Sequence, residues 1–323
     1  MKLVPRARVE LGPGALAFPH PPTVCLRADG SLLGIAEQRT DVGWVTSLVH
    51  VRPSGEHRAM PLPERAFGAQ PVIVDDGDAG VIVLTDERTA VRFDPELESP
   101  TTVEVVDRAG VSGGERRVTI GGIVRSAGAG NWLVVLSDPT AFQNARTIAR
   151  LRLDGTGATW EAAELLHGDD YPMAGGRTST APGGTKAPIV GDVLEVDGTR
   201  FAAVKGSDTM SLLKYGSDFF TLAELDTGGR VARRVYEERG WKKQPGKHGI
   251  RARFTSDGEY AILSPVFGTG EWKGRQQLLR LRDGSLEPVP SIRGTAGFAL
   301  VDLRGEAALL ASNDEVLLAE RTE

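Results

Sequence analysis

One cysteine in 323 residues leaves nothing from which to build an intrachain disulfide framework, so packing and hydrogen bonds must hold the fold. That residue, Cys25, falls in the apolar run TVCL and reads as a buried, inert thiol. Long hydrophobic runs are also missing: no segment approaches the roughly 18 apolar residues that span a membrane. Arg6, Arg8 and Glu10 stand where a secretory leader would need its apolar stretch. The expected compartment is therefore the cytoplasm. There is no H-E-x-x-H and no cysteine-based metal spacing, so no metal and no cofactor are expected. Positive charge is in deficit, with a net charge of −5 and a pI near 5.7. That balance argues against a chain dedicated to nucleic acid, while leaving room for a local basic patch.

What is abundant is glycine, 40 residues, together with 19 prolines spread along the chain. Such a composition implies many tight turns and few long helices. The stretch FTSDGEYAIL (254–263) shows the grammar: an apolar strand end, a turn expected to be two residues on Asp257-Gly258, and a second strand at once. The pattern recurs at 26–36, 74–84, 125–136, 194–204 and 301–311, and after all but the last of these six hairpins a second one follows. The repeating unit is thus four antiparallel strands.

First strands near residues 23, 71, 118, 188, 250 and 296 are spaced by 48, 47, 70, 62 and 46 residues. Four-stranded units of about 40–50 residues are the signature of a β-propeller. The expected fold is a single all-β domain over 1–323, a propeller of six four-stranded blades. The sixth unit runs out of chain before a fourth strand, whereas Lys2–Leu11 has alternating apolar residues and no partner of its own. The N-terminal strand is therefore expected to complete the last blade. The Asp-Gly hairpins resemble the WD40-like/TolB-type repeats of bacterial propellers, in which a turn like Ser256-Asp257-Gly258 joins the inner strands. The resemblance extends to fold only, because the Gly-His and Trp-Asp dipeptides of true WD40 repeats are absent.

In such meanders, the first-to-second and third-to-fourth turns share one face. Second-to-third loops and connections between blades share the other. The first class is tight; the second is expected to hold the long segments 137–145, 167–188, 205–216, 238–249 and 266–275, all from blades three to five. Long loops gathered on one side of a scaffold usually carry function. On or beside them stand Lys205, Lys214, Tyr215, Trp241, Lys242, Lys243, Lys247, His248, Trp272, Lys273 and Arg275. Tryptophan beside lysine or arginine is a hot-spot composition suited to an anionic protein or other anionic partner. The plain alternative is a set of solvated lysines with the indoles tucked against the rim. An enzyme-like cluster, His167, Asp169, Asp170 and Tyr171, could supply general acid–base groups to a hydrolase or lyase at a channel mouth. The plain alternative here is a polar loop whose aspartates cap turns. GVSGG (110–114) matches the nucleophile elbow in letters but lacks the strand-to-helix context. GWKKQPGKHG (240–249) lacks phosphate-loop spacing.

Overall fold

A computed structural model describes residues 1–11, 24–41, 43–62, 71–77, 80–85, 88–110, 119–126, 130–137, 146–153, 157–164, 170, 189–207, 218–239, 250–265, 276–290, 292, 297–312 and 314–322. Among them are 24 strands and no α-helix. In chain order these are β1 (Lys2–Glu10), β2 (Val24–Leu26), β3 (Leu32–Thr40), β4 (Gly43–Val51), β5 (His57–Pro61), β6 (Val72–Asp75), β7 (Val81–Leu84) and β8 (Thr89–Phe93). There follow β9 (Thr101–Asp107), β10 (Thr119–Ser126), β11 (Asn131–Ser137), β12 (Arg146–Leu153), β13 (Ala158–Glu164), β14 (Ile189–Val196), β15 (Thr199–Ser207) and β16 (Asp218–Leu225). The last are β17 (Val231–Arg239), β18 (Ile250–Phe254), β19 (Tyr260–Pro265), β20 (Gln277–Arg280), β21 (Leu286–Pro288), β22 (Ala299–Arg304), β23 (Ala307–Ala311) and β24 (Glu315–Thr322).

Strands β2–β5, β14–β17 and β18–β21 form four-stranded sheets in sequence order, and a fourth such sheet runs β1-β24-β23-β22. The N-terminal strand thus pairs with the C-terminal one, antiparallel from Lys2↔Thr322 to Glu10↔Glu315. Its apolar alternation explains the fit, since Leu3 and Val9 are buried while their neighbours face outward. The remaining eight strands differ from the expectation of separate blades. Meanders β6–β9 and β10–β13 join into one eight-stranded sheet, because Val105–Asp107 pair in parallel with Ala158–Trp160.

The chain divides into two compact units. Unit 1 holds Met1–Glu104, Thr255–Asp257 and Pro288–Glu323; unit 2 holds Val105–Phe254 and Gly258–Glu287. In each, sheets pack face to face. Within unit 2, the run Phe201-Ala202-Ala203-Val204 of β15 is buried on both faces. Ala202 and Val204 pack with Leu133, Val135 and Ile148 of β11 and β12. Phe201 and Ala203 pack with Phe254, Leu263 and Leu279 of β18, β19 and β20. A strand covered on both sides reads as a continuous apolar run rather than an alternating one. Phe201 and Phe254 meet across the sheets as tilted rings 6.3 Å apart, a geometry adding about 0.5–1.5 kcal/mol beyond area burial. Within unit 1, β2–β5 lies between two sheets in the same way. Val24, Leu26, Leu32 and Val49 face β22–β24 and β1. Leu33, Ile35 and Leu48 face β6–β8 and Leu97.

Turn chemistry follows the sequence at β14–β15, where Asp197 (φ 49°) and Gly198 (φ 74°) make a two-residue hairpin. Both central residues need positive φ to match strand twist. The Asp257-Gly258 turn is wider than expected. Its ladder ends at Phe254↔Ala261, leaving residues 255–259 between the strands. Residues 255–257 are instead held in unit 1, where the Asp257 N–H donates to the Leu303 carbonyl at 3.2 Å.

Candidate functional site

Strand bounds fix where each connecting segment is anchored. In the meanders of β10–β21, first-to-second and third-to-fourth turns span five residues or fewer. Their second-to-third segments are 138–145, 208–217 and 266–276. The matching segments of the other meanders shrink to 41–42, 85–88 and 312–314. Connections between meanders are long everywhere, including 62–71, 108–118 and 289–298. The expectation that long segments come only from blades three to five is thus corrected. An outer strand lies three strand spacings, about 14 Å, from the first strand of its own sheet, so the chain must recross that width before the next sheet begins. What singles out β10–β21 is the three second-to-third segments and the long connection 165–188.

Of the basic and aromatic residues expected there, Lys205 lies in β15, paired with Ile189 and Phe220 near the strand end that leads into 208–217. Lys214, Tyr215, Trp241, Lys242, Lys243, Lys247, His248, Trp272, Lys273 and Arg275 lie outside the described residues. So do His167, Asp169 and Tyr171. Asp170 is described. Its carboxylate accepts from Arg230 Nη1 at 3.1 Å and from the Val231 N–H at 3.1 Å, and its carbonyl accepts from Arg234 Nη2 at 2.8 Å. The residue is therefore clamped to the turn between β16 and β17, at the short-turn end of that sheet. Both carboxylate oxygens are engaged, which makes Asp170 a structural partner of Arg230 and Val231.

Sequence reasoning missed two buried aspartates. Asp192 and Asp302 are each 0% exposed and sit at bulges of first strands, where register shifts between Val190 and Asp192 and between Leu300 and Asp302. Asp192 accepts from the Val193 N–H and, across to β18, from the Phe254 N–H, both at 2.8 Å. Asp302 accepts from the N–H groups of Leu303, Ser256 and Leu26 and from the Ser256 hydroxyl. A buried carboxylate is tolerable only with such a donor set. Here it ties first strands of neighbouring sheets together. The signal was available in principle: an Asp inside an otherwise apolar first strand, as in IVGDVLEV and ALVDLR.

The first-strand ends of unit 1 carry a charged group of their own. Asp75 pairs with Arg27 at 3.3 Å and with Arg304 at 3.7 Å, while Arg304 Nη1 also donates to the Leu26 carbonyl. Burial raises the Asp29 pKa, but hydrogen bonds from Ser31 and the charge of Arg27 outweigh it and hold Asp29 below the usual carboxylate range. Among the described residues, no group of three or more His, Cys, Asp or Glu is placed to hold a metal ion. No described helix is long and apolar enough to cross a membrane.

No protein-family model and no curated protein matches the chain. Solved structures do. Virginiamycin B lyase from Staphylococcus aureus is 10% identical, with 98% of each chain covered and a TM-score of 0.52. The polysaccharide lyase Uly1 is 9% identical over 95% of this chain and 91% of its own, with a TM-score of 0.54. YCF48 bound to D1 peptide is more distant, with a TM-score of 0.45 and 11% identity over 94% of this chain and 77% of its own. At such identities the likeness is one of fold, and these neighbours are β-propeller-type proteins. The chain is an all-β protein of propeller-like fold.

Proposed function

We propose that the chain is a six-bladed propeller acting as a cytoplasmic binding module, engaging an anionic protein or other anionic ligand through the long segments of meanders β10–β21. The observation that carries this reading is the contrast in second-to-third segments: 138–145, 208–217 and 266–276 against 41–42, 85–88 and 312–314. A structural connection needs only two to four residues at that position, as the other meanders demonstrate. The extra length sits in the half of the chain whose segments contribute Lys214, Trp241, Lys242, Lys243, Trp272 and Lys273. Such composition combines electrostatic steering with aromatic anchoring. The alternative is a propeller hydrolase or lyase. Two fold neighbours are lyases, but fold does not carry activity. Asp170, the described member of the proposed catalytic cluster, has both carboxylate oxygens on Arg230 and Val231.

The test is retention on immobilised poly-L-glutamate. A protein of net charge −5 should flow through unless a positive patch is focused locally. Wild type is expected to be retained at low ionic strength and released as the Debye length falls from about 10 Å at 0.1 M to about 3 Å at 1 M. Lys242→Glu with Lys243→Glu should abolish retention. Flow-through of wild type at low salt would remove the basis for an anion-binding face.

A further inference from the structure

A second feature lies in unit 1, on the short-turn end of the first meander. Register places Cys25, Leu33, His50 and Arg58 in one row across β2, β3, β4 and β5. Leu33 of that row faces sheet β6–β9, as do Leu48 and Met60, two residues from His50 and Arg58. His50 and Arg58 share that face by alternation. The turn between β8 and β9 reaches this row at Arg58. Arg58 Nη2 donates to the Glu96 carbonyl. Leu97, at φ 63° a non-glycine residue in the left-handed region, is 1% exposed and packs into the core between the sheets. The turn is braced from within, because the Asp94 carboxylate accepts from the N–H groups of Glu98 at 2.7 Å and Ser99 at 3.1 Å.

In this row two nitrogens are closed to solvent and have no hydrogen-bond partner: His50 Nε2 and Arg58 Nε. An unpaired buried donor or acceptor is costly, and a charged one far more so. We propose that segment 94–99 is an acid-released strap: a proton taken up at His50 creates an imidazolium whose buried Nε2–H lacks an acceptor and which repels the neighbouring Arg58 guanidinium, so that Arg58 leaves the Glu96 carbonyl and the segment opens.

The surroundings reinforce the sign. Burial is the largest influence and disfavours the charged imidazole; Arg27 and Arg58 act the same way, Asp29 opposes them, and Arg52 adds a smaller push. From the facing sheet, Asp75 is engaged by Arg27. The His50 pKa is accordingly lowered in the closed state. A histidine depressed when closed binds its proton more readily when open, so opening gains as pH falls below the ordinary value of about 6.5. The left-handed Leu97 holds backbone strain while the strap is closed, and opening relieves it.

The experiment is amide hydrogen exchange on the full chain, expressed as protection factors so that the intrinsic pH dependence of exchange cancels. Between pH 7.5 and 5.5 the protection of Leu97, Glu98 and Ser99 should fall by on the order of tenfold, while Val83 and Val91 in the adjoining strands keep theirs. In His50→Phe the fall should vanish, and His50→Gln provides the same reading if the aromatic variant does not fold. Unchanged wild-type protection in segment 94–99 would overturn the proposal, as would an equal fall in either histidine variant.

Discussion

Asp302 shows how much can depend on one side chain. Its carboxylate receives four donors from β22, from Ser256 and from Leu26, all in unit 1. Asp302→Ala strands those donors in a buried place, and we expect a loss of about 3 kcal/mol in denaturant-measured stability. Asp192→Ala, which takes the acceptor from the Val193 and Phe254 N–H groups, should likewise destabilise, by about 1–3 kcal/mol. A cost below about 1 kcal/mol for either would contradict the role assigned to these residues. Two glycines make a matched pair. Gly80 and Gly305 both have positive φ, 103° and 57°. A Cβ on Gly80 would lie 2.2 Å from the Phe93 carbonyl oxygen, whereas one on Gly305 meets nothing within 4 Å. Gly305→Ala should cost about 1 kcal/mol, the left-handed penalty alone; Gly80→Ala should exceed it by at least about 2 kcal/mol in thermal or urea melts.

At the scale of elements, the sequence made most of the strands readable, because its glycine-bearing turns punctuate apolar runs at regular intervals. Pairing of β1 with β24 was legible from two mismatches, a partnerless strand at one end and a missing one at the other. Removing residues 1–10 should therefore lower the melting temperature of unit 1 as a body. It would uncover Val316 and Leu318 of β24, which pack with Val9, and delete two buried side chains worth about 1.5–3 kcal/mol each. An unchanged melt would contradict the pairing. The width of the Asp257-Gly258 turn was not legible. Asp-Gly alone signals a two-residue hairpin, but the Asp302 carboxylate and the Leu303 carbonyl draw 255–257 away. Local propensity cannot register a partner 46 residues distant. The parallel join of β9 to β13 was hidden for the same reason, since only three residue pairs make it and nothing in VEVVD or ATWEA marks an extra neighbour.

For the whole molecule, the long second-to-third segments of β10–β21 were legible in the sequence, but the geometry of a site was not. Lysine and tryptophan clusters announce themselves in a sequence; which chemistry they perform depends on distances that composition does not encode. Asp170 illustrates the gap, since HGDDY reads as acid–base chemistry and the structure sets one of its carboxylates on a neighbouring turn. Anchoring through Trp241 or Trp272 predicts that Trp→Ala at either speeds dissociation from a bound partner, by about 2 kcal/mol if the indole is a hot spot. The charge reversals should mainly slow association. The most direct measurement of the central claim is retention on poly-L-glutamate of three proteins side by side: wild type, Lys242→Glu/Lys243→Glu, and a charge-matched reversal at the short-turn ends, Arg52→Glu/Arg282→Glu. The account predicts salt-sensitive retention for wild type and for the short-turn variant, and none for the Lys242/Lys243 variant. Equal retention of all three, or loss only in the short-turn variant, would contradict it.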